Sequence, residues 1–186
     1  LCSGQPKFVP VTAENNFMFS PELLEQAITD RTKAILINSP ANPTGGVATK
    51  AALEKIAEIA QKHDLYVITD EVYQRIVYGD HQALSIASLP QMKERTIIIN
   101  SFSKTYAMTG WRVGYAIGPS QVIANMVKLQ ENVVACVNSA AQFGALAALT
   151  GPQDAVDDMV SAYAKRRDMI VEEFNTIPAL RCFAPQ

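Results

Sequence analysis

Apolar residues along the chain follow two patterns that alternate with each other. After the turn-rich residues 42–46 they recur at the spacing of one helix face, at Leu53, Ile56, Ala57 and Ala60. Elsewhere they form short continuous runs, which are typical of strands covered on both faces in a parallel sheet. These runs lie at residues 34–37, 65–68, 96–99 and 113–117. Strands that alternate with helices predict an α/β fold with a mainly parallel, doubly wound sheet.

Two further elements are predicted before the first of these strands. Residues 8–11, which read Phe-Val-Pro-Val, have the composition of a strand. Ser20, Pro21 and Glu22 read as the N-cap, the first residue and the dipole-stabilising acid of a short helix. We expect this helix to end near Asp30.

Beyond Pro119 the chain is predicted to be mostly helical, with a break at Gly151 and Pro152. The apolar spacing after this break predicts a last helix of about 35 Å, at roughly 1.5 Å per residue. The basic residues 165–167 are interpreted as the solvated face of this helix.

The composition is that of an ordinary globular protein. The 186 residues are 48% hydrophobic and 18% charged, and the formal net charge is -2. This balance provides no basic field for nucleic acid or anionic lipid. We see no secretory leader and no apolar run of about 18 residues, so neither export nor a membrane span is expected. Cys2, Cys136 and Cys182 are odd in number and far apart, which predicts free thiols and a cytoplasmic location.

Polar residues follow three of the apolar runs. Because ligands bind at the carboxyl ends of strands in open parallel sheets, these residues are predicted to share one edge. The sequence has no G-x-G-x-x-G and no P-loop pattern that would hold a nucleotide. Its two histidines, His63 and His81, are too few to predict a Ser-His-Asp triad or a metal site. The candidate site residues are Asn42, Asp70, Tyr73, Ser101, Ser103, Lys104 and Arg112.

Three motifs in this set resemble the class I and II aminotransferases of fold type I, which depend on pyridoxal phosphate. Residues 101–115, SFSKTYAMTGWRVGY, resemble the lysine signature of that family. NPTG at 42–45 resembles its cofactor-contacting turn, and DEVY at 70–73 resembles its pyridine-binding strand end. The order and approximate spacing also agree over nearly the whole chain. The MTGWR variant at 108–112 resembles the branch that contains bacterial aspartate and aromatic aminotransferases.

The resemblance implies a role for each candidate residue. Lys104 would carry pyridoxal phosphate as a Schiff base and shuttle the proton of the substrate's α-carbon. Asp70 would pair with the protonated pyridine nitrogen and so keep the ring able to accept electrons. Asn42 and Tyr73 would hydrogen-bond the phenolic oxygen of the ring. The phosphate would be held by Arg112, Ser101 and Ser103.

Simpler roles are available for several of these residues taken alone. Asp70 could cap the turn that follows its strand, and Asn42 could be a turn residue without a ligand. Arg112 could form a surface ion pair, which contributes little to stability. Tyr73 is preferred to Tyr78 as the site tyrosine only because its register after Asp70 matches the family.

The resemblance also implies that the chain is the central part of a longer protein. The family's upstream phosphate-binding loop and ring-stacking aromatic residue are not in the sequence, nor is its downstream arginine for the substrate carboxylate. We expect residues 1–150 to be part of the large cofactor-binding domain. Residues 151–186 would be the interdomain helix and the start of the small domain. On its own, the chain is expected to be severely impaired in transamination.

The leading functional hypothesis is an aminotransferase that moves an amino group between an amino acid and a 2-oxo acid, acting as a homodimer. A carbon–sulfur lyase is an alternative, since such enzymes share the same lysine, aspartate and arginine. A regulator with an aminotransferase-like domain that binds pyridoxal phosphate as an effector is a second alternative. Neither nucleic acid nor a membrane is an expected partner.

Overall fold

A computed structural model describes residues 3–186, so the predicted free thiol of Cys2 lies outside the described residues. Its helices are α1 (Pro21–Ala27), α2 (Lys50–Lys62), α3 (Phe102–Thr105), α4 (Ser120–Val133), α5 (Ser139–Thr150) and α6 (Asp154–Asn175). Its strands are β1 (Ala34–Asn38), β2 (Tyr66–Asp70), β3 (Thr96–Ser101) and β4 (Gly114–Ile117).

The four strands form one sheet in the order β1-β2-β3-β4. β1, β2 and β3 are parallel, and β4 runs antiparallel to β3. The predicted α/β class and mainly parallel sheet are therefore confirmed. β4 is reversed because the chain turns back after α3, within residues 102–113, which leaves no room for a crossover helix.

α1 begins after its predicted cap, Ser20, and α2 begins after Thr49, a cap that was not predicted. The Ser20 hydroxyl accepts the Leu23 amide at 3.2 Å, and the Thr49 hydroxyl accepts the Ala52 amide at 3.2 Å. α1 ends at Ala27 rather than near Asp30, so this predicted end is wrong. The backbone of Ile28 is extended because residues 28–32 form a turn of their own.

The main core lies between α2 and one face of the sheet. Ile56 and Ala60 of α2 are fully buried in this core, together with Ile35, Ile37 and Val67 of the sheet. Each large side chain buried in this way contributes roughly 1.5–3 kcal/mol. This packing holds the ends of β1 and β2 in place beside each other.

The other face of β1 is open in the described chain. Leu36 is 71% exposed and Tyr66, on the neighbouring strand, is 45% exposed. Successive residues of a strand point to opposite faces, and α2 covers only the face that carries Ile35 and Ile37. The prediction that β1 is covered on both faces is thus wrong for the described residues.

Residues 8–11 do not form the predicted strand. Phe8 is 87% exposed, and the sheet ends at β1 without another strand beside it. An apolar run of this kind becomes a strand only where a neighbouring strand accepts and donates its hydrogen bonds.

The region beyond Pro119 is helical, as predicted, and it breaks between α5 and α6. α6 has 22 residues, which at 1.5 Å per residue gives a length of about 33 Å. A second, smaller core joins α5 to the segment after β3 through Ala141, Ala145, Phe102, Met108 and Val113. None of the helices in residues 3–186 combines the length and apolar character needed to cross a membrane.

Candidate active site

The turn after β1 is held by its own backbone and by Asn38 at the end of the strand. The Gly45 amide donates to the Ala41 carbonyl at 2.8 Å, and the Ala41 amide donates to the Gly46 carbonyl at 2.9 Å. The Asn38 side chain accepts the Asn42 amide at 2.9 Å and donates to the Asp70 carbonyl at 3.2 Å. The end of β1 is therefore tied to both the turn and the end of β2.

Asp70 and Tyr73 lie at the end of β2 and in the turn that follows. One carboxylate oxygen of Asp70, Oδ1, accepts the Val72 amide at 3.1 Å, which is the simple capping role considered above. The Asp70 side chain makes no other hydrogen bond within residues 3–186, so Oδ2 is available to a ligand. The Tyr73 hydroxyl accepts the Asn42 side-chain amide at 3.0 Å, and so the first two motifs meet.

Ser101, Ser103 and Lys104 lie where β3 passes into α3. The Ser101 hydroxyl caps α3 by accepting the Ser103 amide at 3.1 Å, and it lies 2.9 Å from the Ser103 hydroxyl. Lys104 projects toward Tyr73, with Nζ 5.7 Å from the centroid of the tyrosine ring. Lys104 forms no ion pair with a carboxylate of the described chain.

Arg112 follows a short 3-10 turn at Thr109–Trp111 and has a left-handed backbone, with φ 52° and ψ 50°. Its Nη1 donates to the Thr109 carbonyl at 3.0 Å, and the Thr109 hydroxyl donates to the Ser103 carbonyl at 3.0 Å. No acidic side chain of the part of the chain that the structure describes pairs with Arg112. Its remaining guanidinium donors are therefore free to bind an anion.

A cavity of about 560 Å³ brings together four of the seven candidate residues: Asn42, Tyr73, Ser103 and Lys104. Asp70, Ser101 and Arg112 are outside its wall and are linked to it through their neighbours. Among the described residues that line the wall, Lys104 alone has a charged side chain. A primary amine in a cavity without a carboxylate suits reaction with an aldehyde better than an ion pair.

Glu71, directly after Asp70, is a buried carboxyl group that the sequence did not single out. It is 5% exposed and accepts hydrogen bonds from the Ser85 hydroxyl at 2.7 Å and the Thr69 hydroxyl at 3.2 Å. Burial raises the pKa of Glu71, although the two hydroxyl groups act in the opposite direction. The pair Glu71–Ser85 closes the loop that carries Tyr73 and Tyr78.

Several residues of the cavity wall were also missed. Tyr78, Tyr163, Pro185 and Gln186 line the cavity, although the last two are far from the turn in sequence. The positively charged Arg167 lies behind them with a side chain only 20% exposed, so the prediction that it belongs to a solvated face is wrong. The one local hint of a segment packed against the turn was the residue type of Gly45, because glycine permits a close approach by another backbone. In the structure Gly45 has a left-handed backbone, with φ 72°.

Comparisons with known proteins agree with the fold and the motifs. The family model "Aminotransferase class I and II" matches residues 1–186. The aspartate aminotransferase of Geobacillus stearothermophilus is 42% identical over 187 residues, which cover 100% of this chain and 48% of that protein. The chain thus spans about half the length of its curated relatives.

Solved structures give the same result. The aspartate aminotransferase from Rhizobium meliloti superposes with a TM-score of 0.96 at 37% identity, over 100% of this chain and 47% of that one. The aromatic aminotransferase from Pyrococcus horikoshii OT3 gives a TM-score of 0.92 at 43% identity, over 96% of this chain and 48% of that one. The expected fold type I architecture is confirmed, and the chain belongs to the class I and II aminotransferase family.

Proposed function

We propose that the protein containing this chain is a pyridoxal-phosphate-dependent aminotransferase, which moves an amino group between an amino acid and a 2-oxo acid. One observation carries the proposal above the others. The Lys104 amine lies 5.7 Å from the Tyr73 ring, and the hydroxyl of that ring accepts the Asn42 amide at 3.0 Å, all within one cavity. An amine is therefore held beside two groups suited to bind a phenolic oxygen.

The chemistry of the surrounding side chains fits the cofactor. Lys104 would be the lysine to which its aldehyde is joined, and Asp70 would hold its pyridine nitrogen. Arg112 has guanidinium donors that no carboxylate of the described chain occupies, and it is linked to Ser103 through Thr109. An amine, a carboxylate and a guanidinium therefore serve the three ends of the molecule.

When bound, pyridoxal phosphate supplies an electron-accepting ring. The chain's residues would set the protonation states that this chemistry needs. Lys104 Nζ would accept the proton of the substrate's α-carbon and return it to the cofactor side, as a positioned general base and acid. Asp70 would keep a proton on the pyridine nitrogen, because a carboxylate stabilises the adjacent positive charge. Asn42 and Tyr73 would orient the ring by hydrogen bonds to its oxygen.

The test is an assay of the intact protein with a panel of amino acids and 2-oxoglutarate. We expect glutamate to form in a one-to-one ratio with the 2-oxo acid derived from the donor. Release of pyruvate and ammonia without glutamate would favour a carbon–sulfur lyase. Tight cofactor binding without turnover of any amino acid would favour a regulator, and either result would contradict the proposal.

We also propose that residues 1–150 belong to the large cofactor-binding domain, and that residues 151–186 form the interdomain helix and the start of a small domain. The near-absence of buried residues along α6 supports this division, since Val156 alone is buried among its 22 residues. Limited proteolysis of the intact protein should cut near residues 151–153 before it cuts within the sheet.

A homodimer is proposed from the apolar side chains that α4 and α5 leave exposed, such as Leu129 at 66% and Phe143 at 72%. In the intact protein, Leu129→Asp should shift the mass measured by light scattering from dimer to monomer. Gln130→Asp, one position along α4, adds the same charge on another side of the helix and should leave the dimer intact. Equal behaviour of the two variants would contradict this interface.

A cytoplasmic location is proposed because a reducing compartment suits the free thiols of Cys136 and Cys182. Fractionation of cells that express the intact protein with its natural ends tests this directly. Recovery with the membrane or secreted fraction would contradict it.

A further inference from the structure

Part of the cavity wall is built from the last two described residues, Pro185 and Gln186. We call residues 185–186 the wall segment. The Gln186 amide donates to the Gly45 carbonyl at 2.9 Å, and the Gln186 side-chain oxygen accepts the Val47 amide at 2.9 Å. Gln186 therefore forms two hydrogen bonds with the segment after β1. The bond to Val47 joins residues that are 139 positions apart in the sequence.

The fit between the wall segment and the turn is close. A Cβ atom added to Gly45 would lie 2.5 Å from Cβ of Pro185, a distance at which one of the two segments must move. The position of the wall segment thus decides the position of the turn. That turn carries Asn42, whose amide reaches the Tyr73 hydroxyl at 3.0 Å.

Arg167 of α6 holds the wall segment from behind. Its Nη1 donates to the Pro185 carbonyl at 3.2 Å, and its guanidinium carbon lies 4.6 Å from the centroid of the Tyr78 ring. Asp168 fixes the guanidinium group, with its Oδ1 accepting from Nε at 2.8 Å and from Nη2 at 2.6 Å. One side chain therefore joins α6, the loop after β2 and the wall segment.

From these contacts we propose that Arg167 is a positioning residue for the candidate active site. It acts through the wall segment on the turn that carries Asn42, and through Tyr78 on the adjoining part of the wall. It touches none of the residues proposed to bind the cofactor. The inference rests on the proposed function only for the statement that the positioned site binds a cofactor. The contacts from Arg167 through the wall segment to the turn do not depend on that function.

The experiment compares Arg167→Met with Lys165→Met in the intact protein. Both variants remove one positive charge from α6, but Lys165 is exposed and contacts neither the wall segment nor Tyr78. Hydrogen–deuterium exchange is followed in peptides covering residues 42–48, with peptides of β2 as the internal reference. In Arg167→Met the turn should exchange about tenfold faster, the effect of losing one ordinary hydrogen bond, while β2 should not change.

Activity gives the second readout. We expect Arg167→Met to raise the KM for the amino acid about fivefold while kcat changes less, the pattern of lost binding that is equal in the ground and transition states. Arg167→Lys should recover part of the loss. Unchanged exchange at the turn, equal changes in Lys165→Met, or a parallel increase in β2 would overturn the proposal. If Arg167→Met does not fold, Arg167→Lys and Gln186→Ala test the two halves of the link: the first removes the planar guanidinium group, and the second removes the acceptor for the Val47 amide. Unchanged exchange at the turn in both would overturn the proposal. An intact protein without transaminase activity would refute the proposed function and leave the exchange test valid.

Discussion

The strand region, residues 34–118, and the helical region, residues 120–175, differ in how they use their apolar side chains. α2 in the first region buries five of its 13 residues. α4 in the second buries none of its 14, and α6 buries one of 22. In the first region α2 packs against the sheet, whereas in the second only α5 contributes residues, Ala141 and Ala145, to a core of the described chain.

This difference explains where the candidate chemistry lies. Asn42, Asp70, Tyr73 and Lys104 all follow strands whose positions are fixed by the core beneath α2 or by hydrogen bonds between the strand ends. A site needs side chains held to within a fraction of an ångström, and a packed core gives that precision. The helical region instead supplies outer contacts, of which Arg167 is the clearest case.

The largest expected effect is on kcat, and it distinguishes a lysine of the strand region from a lysine of the helical region. Lys104→Ala in the intact protein should lower kcat for transamination by about 10⁴-fold, at the upper end of what a positioned general base contributes. Lys128→Ala, an exposed lysine on α4, is the matched control and should retain activity. Steady-state kinetics with the two variants measures this, and activity in Lys104→Ala within tenfold of the unmodified protein would place the chemistry elsewhere.

The next effect concerns stability. Ile56 is fully buried in α2, so Ile56→Ala should lower the free energy of unfolding by about 3 kcal/mol through lost burial and a new cavity. Met169 on α6 is 58% exposed, and Met169→Ala should change the free energy of unfolding by less than about 0.5 kcal/mol. Urea denaturation of the 186-residue chain tests both. Similar losses at the two positions would mean that the regions do not differ in packing.

Substitutions at two glycines test the contact between the turn after β1 and the wall segment. Gly45 and Gly79 both have left-handed backbones, with φ 72° and 62°, but only Gly45 has the wall segment within contact distance of an added Cβ. Gly79→Ala should lower the free energy of unfolding by about 1 kcal/mol from backbone strain alone. Gly45→Ala should lower it by roughly 1–2 kcal/mol more, because Pro185 must also move. Equal losses by urea denaturation would show that Pro185 does not press on the turn.

The smallest effect depends on pH. Burial raises the pKa of Glu71 in the folded protein, so the folded state holds this proton more tightly than the unfolded state does. The resulting stability is present below the ordinary glutamate pKa of 4.5 and is lost as the pH rises through the raised value.

Glu71→Gln stays neutral and should lack this loss, so its stability relative to the unmodified protein should increase with pH over that window. Ser85→Ala removes a hydroxyl that favours the charged carboxylate and should make the total loss larger, over a wider range of pH. Urea denaturation across the window measures both variants. Parallel pH profiles for all three proteins would contradict the role of burial.

Local patterns predicted those parts of the fold that local forces determine. The cap at Ser20 and the apolar face of α2 depend on neighbouring residues, and the predicted strands at β1, β2 and β3 follow from continuous apolar runs. The strand at residues 8–11 was wrong because a strand also needs a partner. The prediction that β1 is covered on both faces was wrong for the described residues. The sequence shows that both faces of β1 are apolar, but it does not show which surface packs against each face.

The candidate site shows the same limit. Its seven residues came from motifs at strand ends, and the contact of Asn42 with Tyr73 joins two of those motifs. The wall segment could not be predicted, because its contacts join positions 139 residues apart that have no pattern in common. Arg167 was assigned to solvent for the same reason: helix periodicity gives the side of a helix but not what folds back onto it.

The central claim is that Lys104 is the lysine that reacts with pyridoxal phosphate. The most direct measurement is to add the cofactor to the intact protein, reduce it with borohydride and locate the modified residue by peptide mass spectrometry. We predict one pyridoxyl group per chain, on Lys104, and none on Lys104 when the cofactor is omitted. A folded protein in which the adduct is absent from Lys104, or lies mainly on another lysine, would contradict the account.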